Sequence, residues 1–80
     1  MTPKQALRLP SDLPRERVLK ALKRLGFVQD REGQKHTIFQ HPDNPSLRLA
    51  IPRHSRIKRH LLQGILSGVG VTEADFMARY

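Results

Sequence analysis

The chain contains no cysteine. Without that residue it has no disulfide framework, no thiolate metal site and no thiol nucleophile, and a reducing cytoplasm is its natural location. Long apolar runs are also missing. No stretch approaches the roughly 20 residues that cross a bilayer, and the N-terminus lacks the apolar segment of a secretory signal. We therefore expect a cytoplasmic protein with no membrane partner.

Aromatic residues are few: the 80 residues include only Phe27, Phe39, Phe76 and Tyr80. The first two fall in apolar patterns that place them in the core, so the stacking of RNA bases on aromatic rings is not expected. A chain of this length forms one domain and buries about 60–65% of the surface that its unfolded form exposes. So thin a core argues against a large substrate cleft.

Acidic residues are scarce as well. Seven Asp and Glu face 15 Lys and Arg, so the formal net charge is +8. Positive charges on the surface of a folded protein repel each other, so each further one lowers its stability. Such an excess therefore indicates an anionic partner, with nucleic acid as the first candidate. The alternative is that the charge only keeps the protein soluble, a purpose that mixed charge would serve as well. The excess is concentrated in residues 53–60, which hold four Arg or Lys and two His.

The spacing of apolar residues predicts an α+β fold. Leu47, Leu49 and Ile51 alternate with Arg48 and Ala50, the pattern of a sheet with one buried face and one open face. Three short strands predict an antiparallel meander, and two amphipathic helices need its apolar face. The predicted elements are an extended arm over residues 1–13, a helix over about 14–25, strands near 27–30, 37–40 and 47–51, a helix whose apolar stripe runs from Ile57 to Val69, and a short helix over about 72–79.

Four histidines lie in or beside the basic half of the chain, and alternation along the second strand separates two of them. If Phe39 faces the core, His41 shares its side, whereas His36 points to the open face. Arg48, outward on the next strand, is then a possible cross-strand neighbour of His36. Metal binding is not expected, because no histidine pair has a close ligand spacing and the surroundings are positive. No serine lies in a nucleophile-elbow context.

An exposed imidazole among fixed cations suits a reaction in which the 2′-hydroxyl group of the RNA cleaves the RNA chain. Nearby positive charge favours the neutral imidazole, which acts as a general base and contributes about 10²–10⁴-fold. Arg or Lys would stabilise the charge that develops on the phosphorus oxygens. The residues alone leave two other roles open for such a histidine, a spectator or a hydrogen-bond donor to phosphate.

Five segments of the chain, in this order and spacing, carry a family resemblance: Leu22–Phe27, His36–Pro42, Ile51–His54, Ile65–Leu66 with Gly70, and Gly70–Glu73. Together with the order of elements, they resemble the HicA family of bacterial toxins, ribonucleases described as mRNA interferases with a double-stranded-RNA-binding-domain-like fold. The resemblance covers about residues 14–76. The chain departs from the family at Gln34 and Lys35, where members have Gly and Ser, and at the opening of the last main helix, residues 57–61.

This resemblance implies a single α-β-β-β-α domain over residues 14–80, with His36 as the catalytic base. It implies messenger RNA as the substrate, a HicB-type antitoxin as the protein partner, and no cofactor or metal. A non-catalytic RNA-binding module of the same fold and a basic protein-interaction domain remain alternatives. The residues expected to bind RNA are Lys35, Arg48, Arg53, His54, Arg56, Lys58 and Arg59.

Overall fold

The computed structural model describes residues 9–33 and 35–80. No helix in these two ranges is long and apolar enough to cross a membrane. The elements, in chain order, are β1 (Asp12–Pro14), α1 (Arg15–Arg24), β2 (Val28–Glu32), β3 (His36–His41), β4 (Asn44–Pro52), β5 (Arg56–Lys58), α2 (Arg59–Gly68) and α3 (Glu73–Arg79).

Strands β2, β3 and β4 form an antiparallel sheet in that order. In its register Thr37 lies opposite Ile51 and Phe39 opposite Leu49, and all four side chains are buried. His36 is exposed, as the alternation predicts for a residue on the opposite face. The predicted α+β class and three-stranded meander are confirmed.

The helices contribute six residues to the hydrophobic core. An amphipathic helix buries one stripe and leaves the other faces to solvent, and the two ten-residue helices do so here. The seven residues of α3 add one fully buried aromatic ring. The helical members of the core are Val18, Ala21, Leu22, Leu62, Leu66 and Phe76.

The prediction for Ile57 is wrong. Its spacing of four from Leu61 places it in the helical stripe, but it lies in β5 and pairs with Leu13 of β1 in a second, two-stranded sheet. Both side chains are fully buried. Strands of three residues are too short to show a period of two, so the apolar spacing alone favoured a helix.

Of the arm predicted over residues 1–13, residues 1–8 lie outside the described residues. From Leu9 onward the segment is part of the fold: Leu9 and Leu13 are buried in the core. The Leu9 amide donates to Glu73 Oε1 at 3.3 Å. The core of the domain predicted over 14–80 therefore includes side chains from before residue 14.

Helix α1 ends where Gly26 is expected to stop it. Gly26 has φ of 100°, and the Gly26 and Phe27 amides donate to the Lys23 and Leu22 carbonyls at 3.0 and 3.1 Å. This is a Schellman motif, which needs a left-handed residue. The imidazole of His41 lies directly against this turn, with its ring edge-on to Phe27 at 5.2 Å between centroids. His41 therefore has a packing role at the end of the first helix.

Candidate active site

The start of β3 fixes the position of His36. Its carbonyl accepts a hydrogen bond from the Gly33 amide at 2.7 Å across the β2–β3 turn. On the other side, Pro52 is its register partner in β4. Gln34 lies outside the described residues, and Lys35 is exposed beside His36. Neighbours on both sides thus anchor the His36 backbone while its side chain faces solvent.

His36 lines a groove with a volume of about 580 Å³. The groove lies between the open side of the sheet and α2, and its size is within the range of ligand-binding pockets, about 300–1,000 Å³. None of its eight lining residues, all in the described part of the chain, is acidic. They are Lys35, His36, Ala50, Pro52, Arg53, His54, Leu61 and Ile65.

Two kinds of side chain meet in this groove. The turn before β3, the first residue of β3 and the segment after β4 contribute four polar groups, two cations and two imidazoles, all of them exposed. The sheet and α2 contribute an aliphatic wall. A cationic rim beside an apolar wall matches a ligand that has both an anionic part and a flat apolar part. The rim residues are Lys35, His36, Arg53 and His54.

Arg53 joins the end of β4 to the turn that precedes His36. Its backbone amide donates to the Lys35 carbonyl at 3.0 Å. Its Nη1 contacts Glu32 Oε2 at 3.1 Å and the Gly33 carbonyl at 3.2 Å. The side chain is 48% exposed, and an exposed ion pair of this kind contributes only about 0–1 kcal/mol. A phosphate can therefore compete with Glu32 for the guanidinium.

Arg15 supports the same region from the helical side, and sequence reasoning missed it. Its Nε donates to the Pro52 carbonyl at 3.1 Å and its Nη2 donates to Thr37 Oγ1. The Thr37 hydroxyl in turn donates to Glu32 Oε1 at 2.9 Å. The one signal in the sequence is a cation in the first turn of a helix, where the helix dipole disfavours positive charge and a specific partner is needed.

The expectation that Arg48 lies across from His36 is wrong. Arg48 pairs with Gln40, whereas His36 pairs with Pro52, four residues along the strand and about 13 Å away at the usual rise. Arg48 forms an ion pair with Asp30. It lines a second groove of about 290 Å³ on the open face of the sheet, together with Arg31, Ile38, Leu49 and Ala50. Ala50 lines both grooves, so the second groove adjoins the first.

The cations of β5 and the start of α2 do not line the His36 groove. Arg56 donates from Nε and Nη2 to Asp12 Oδ1 at 2.8 and 2.6 Å. Arg59 is half-buried, and its Nε donates to the Pro10 carbonyl at 3.3 Å. Lys58 is exposed between them. Arg56 and Arg59 thus attach the N-terminal segment, and the structure brings only Lys35, Arg53 and His54 of the expected RNA-binding set beside His36.

The remaining histidines lie apart from the groove. His41 Nδ1 accepts a hydrogen bond from the Asp43 amide at 3.2 Å, and His60 is exposed in the first turn of α2. Within residues 9–33 and 35–80, no three His, Asp or Glu side chains are grouped so that they could hold a metal ion. The groups that the groove offers for chemistry are therefore imidazoles and cations.

Comparison with known proteins yields one family. A family model described as the HicA toxin of bacterial toxin-antitoxin matches residues 15–71, which is more than half of the chain. The match includes α1, all three strands of the main sheet and α2. No curated protein matches the chain.

Proposed function

The chain belongs to the HicA family of toxins from bacterial toxin–antitoxin systems, and we propose that it is a metal-independent endoribonuclease that cleaves messenger RNA with His36 as the general base. The observation that carries the proposal is the position of His36, exposed in a groove whose other polar lining groups are Lys35, Arg53 and His54. An anionic substrate fits this lining.

The proposed reaction uses the 2′-hydroxyl group of the RNA as the nucleophile. His36 removes its proton, the 2′ oxygen attacks the adjacent phosphorus, and the bond to the 5′ oxygen breaks. Lys35 and Arg53 stabilise the negative charge that grows on the non-bridging oxygens. The products are a 2′,3′-cyclic phosphate and a 5′-hydroxyl end, and these ends are a direct chemical signature of the mechanism.

The 5′ oxygen must receive a proton as it leaves. His54 lies in the same groove as His36, and imidazole is the side chain that exchanges protons near neutral pH. We therefore place His54 as the donor to the leaving oxygen. Replacing His54 with Ala should slow the cleavage of ordinary RNA, and much less that of RNA whose 5′ oxygen is replaced by sulfur, a leaving group that does not need a proton.

A HicB-type antitoxin is the proposed protein partner. Acidic side chains of the chain itself already contact the basic surface, at Arg48, Arg53 and Arg56. An antitoxin with an acidic face could replace these contacts, cover the groove and associate quickly through electrostatic steering. The proposal expects complex formation to slow as ionic strength rises.

The test is induced expression of the wild type, His36→Ala and His60→Ala in a bacterial host. His60 is the matched control, because it is an exposed histidine outside the groove. Growth arrest and fragmented messages are expected with the wild type and His60→Ala, and neither with His36→Ala. Purified wild type should still cleave RNA in the presence of a metal chelator. Equal cleavage by His36→Ala would end the assignment of the base.

A non-catalytic RNA-binding module is the second candidate, favoured by one specific observation. Lys35, directly before His36, is exposed and lines the groove, so it offers a phosphate contact at the position where the resemblance implies a Ser hydroxyl group. This candidate predicts salt-sensitive RNA binding by the wild type with intact RNA after prolonged incubation. Detection of cyclic-phosphate ends would exclude it.

A further inference from the structure

We propose that the aliphatic wall of the groove holds one unstacked base of single-stranded RNA, next to the phosphate that His36 acts on. The inference rests on the proposed function and names the form of RNA that the site takes. The inference is based on the observation that an apolar wall and a cationic rim lie side by side in one groove.

The wall consists of side chains at the margin of the core, where apolar surface is left in contact with solvent. Leu62 and Leu66 of α2 are buried, whereas Leu61, on the adjacent stripe, is 38% exposed. Ile65 lies four residues further on, and residues four apart are neighbours on one helix face. Ala50 forms the sheet side of the groove, where its small side chain leaves depth. Leu61, and the part of half-buried Ile65 that does not pack against the core, thus present apolar surface to solvent directly beside the polar groups of the site.

The chemistry of the lining identifies the occupant as a nucleotide. A nucleotide joins a flat, largely apolar base to a phosphate, and the groove joins an aliphatic wall to Lys35 and Arg53. In a double helix the bases are stacked inside, so only an unpaired or extruded nucleotide can place its base against protein side chains. We therefore infer that the substrate is single-stranded RNA and that a duplex is cut poorly.

Aliphatic groups must provide this contact, because the chain's phenylalanines are buried and Tyr80 lies under the Arg17 guanidinium at 3.9 Å. Contact with Leu61 and Ile65 should lie at the weak end of the range for stacking on an aromatic ring, which is worth about five- to 150-fold per base. A loss of about fivefold in binding is expected when Leu61 is shortened. The site should tolerate any base, since every base has an apolar face.

The experiment measures both binding and cleavage of a short single-stranded RNA in which one nucleotide at a time is abasic. His36→Ala protein reports binding without cleavage, and wild-type protein reports cleavage. Leu61→Ala and Leu61→Trp are made in both backgrounds. The matched control is Val28→Ala, since Val28 is an exposed apolar residue, 48% exposed, on β2 and outside the groove.

The inference expects one position, adjacent to the cleaved bond, at which removal of the base weakens binding about fivefold. Leu61→Ala should weaken the binding of intact RNA by a similar factor, and should not weaken the binding of that abasic RNA. Leu61→Trp should bind intact RNA more tightly than the wild type does. Val28→Ala should bind it as the wild type does. A duplex of the same sequence should be cut much more slowly.

The outcomes separate the two proposals. Suppose that the wild type cleaves RNA through His36, but that no abasic position weakens binding and Leu61→Ala binds RNA as tightly as Val28→Ala. The base site is then refuted and the ribonuclease stands. If no RNA is cleaved while one abasic position and Leu61→Ala still weaken binding, the base site stands and the ribonuclease is refuted. Should Leu61→Ala weaken only the complex with an antitoxin, the wall is a protein-docking surface and the inference is overturned.

Discussion

His36 lies directly opposite Pro52 in the register of β3 and β4. Because β4 is an edge strand, the missing N–H of Pro52 removes no hydrogen bond to β3, and the pairing continues with the bond from the Arg53 amide to the Lys35 carbonyl at 3.0 Å. Arg53 and His54, the two residues after Pro52, line the same groove as His36. The register thus brings the start of β3 and the end of β4, with the polar groups of the candidate site, to one end of the sheet.

Arg53 and Arg56 should differ in their effect on RNA binding, although both are exposed arginines in ion pairs. Arg53 lines the groove, whereas Arg56 does not. Each phosphate contact with a single strand contributes about 0.7 to the slope of log K against log salt concentration. Arg53→Gln should lower this slope by about 0.7, and Arg56→Gln should leave it unchanged.

Fluorescence anisotropy of a labelled RNA, titrated at several salt concentrations, measures both slopes. The His36→Ala background avoids cleavage during the titration. If Arg56→Gln lowers the slope as much as Arg53→Gln, the RNA path includes β5 and extends well beyond the groove. Unchanged slopes in both variants would contradict the assignment of the groove as the phosphate site.

Arg15→Ala should destabilise the fold. Arg15 is half-buried, and its loss removes the hydrogen bonds to the Pro52 carbonyl and to Thr37, which is 1% exposed. Removing one partner of a buried polar group costs about 1–3 kcal/mol. Urea unfolding followed by circular dichroism measures the change in the free energy of unfolding. Lys20→Ala on the exposed face of α1 is the control, with an expected change within about 0.5 kcal/mol, and an equal effect of both variants would refute the role of Arg15.

The sequence predicted the main sheet and its faces because alternation in the second and third strands is strong. Thr37, Phe39, Leu49 and Ile51 follow a period of two, and all four are buried. The same rule predicted that His36 is exposed. A long alternating pattern predicts which face of a strand is buried, because a shift by one residue would move the whole apolar set to the wrong face.

The register and the small sheet could not be predicted in the same way. The β3–β4 pairing shifts between Gln40 and His41, and such an irregularity changes which residues lie opposite each other without a signal in the apolar pattern. The expected contact of Arg48 with His36 failed for this reason. Arg15 was missed because its partners, Thr37 and Pro52, are 22 and 37 residues away in the chain.

Two glycines should respond in opposite ways to substitution by Ala. Gly26 has φ of 100°, and an added Cβ would lie 2.9 Å from His41 Nε2. Gly64 is in α2, and an added Cβ meets nothing within 4 Å. Gly26→Ala should lower the free energy of unfolding by at least about 1–2 kcal/mol, the cost of the left-handed conformation. Gly64→Ala should raise it by about 0.4–1 kcal/mol, because the unfolded chain loses freedom.

Thermal and urea unfolding of both glycine variants test this pair. His41→Ala removes the clashing imidazole, so the double variant with Gly26→Ala separates the steric cost from the cost of the positive φ. Stabilisation by Gly26→Ala would contradict the left-handed end of α1. A loss of stability in Gly64→Ala would mean that the exposed face of α2 is packed against something in solution.

Thr72 should stabilise the last helix through its hydroxyl group. Thr72 Oγ1 accepts a hydrogen bond from the Asp75 amide at 3.0 Å, and a helix of seven residues is too short to be stable alone. Loss of such an N-cap costs about 1 kcal/mol. Thr72→Ala should therefore lower the free energy of unfolding by about that amount, whereas Thr72→Ser keeps the acceptor and should stay close to the wild type. Because α3 carries the buried Phe76 into the core, the loss should appear in the cooperative unfolding of the whole domain, and a separate early transition would instead show that α3 unfolds on its own.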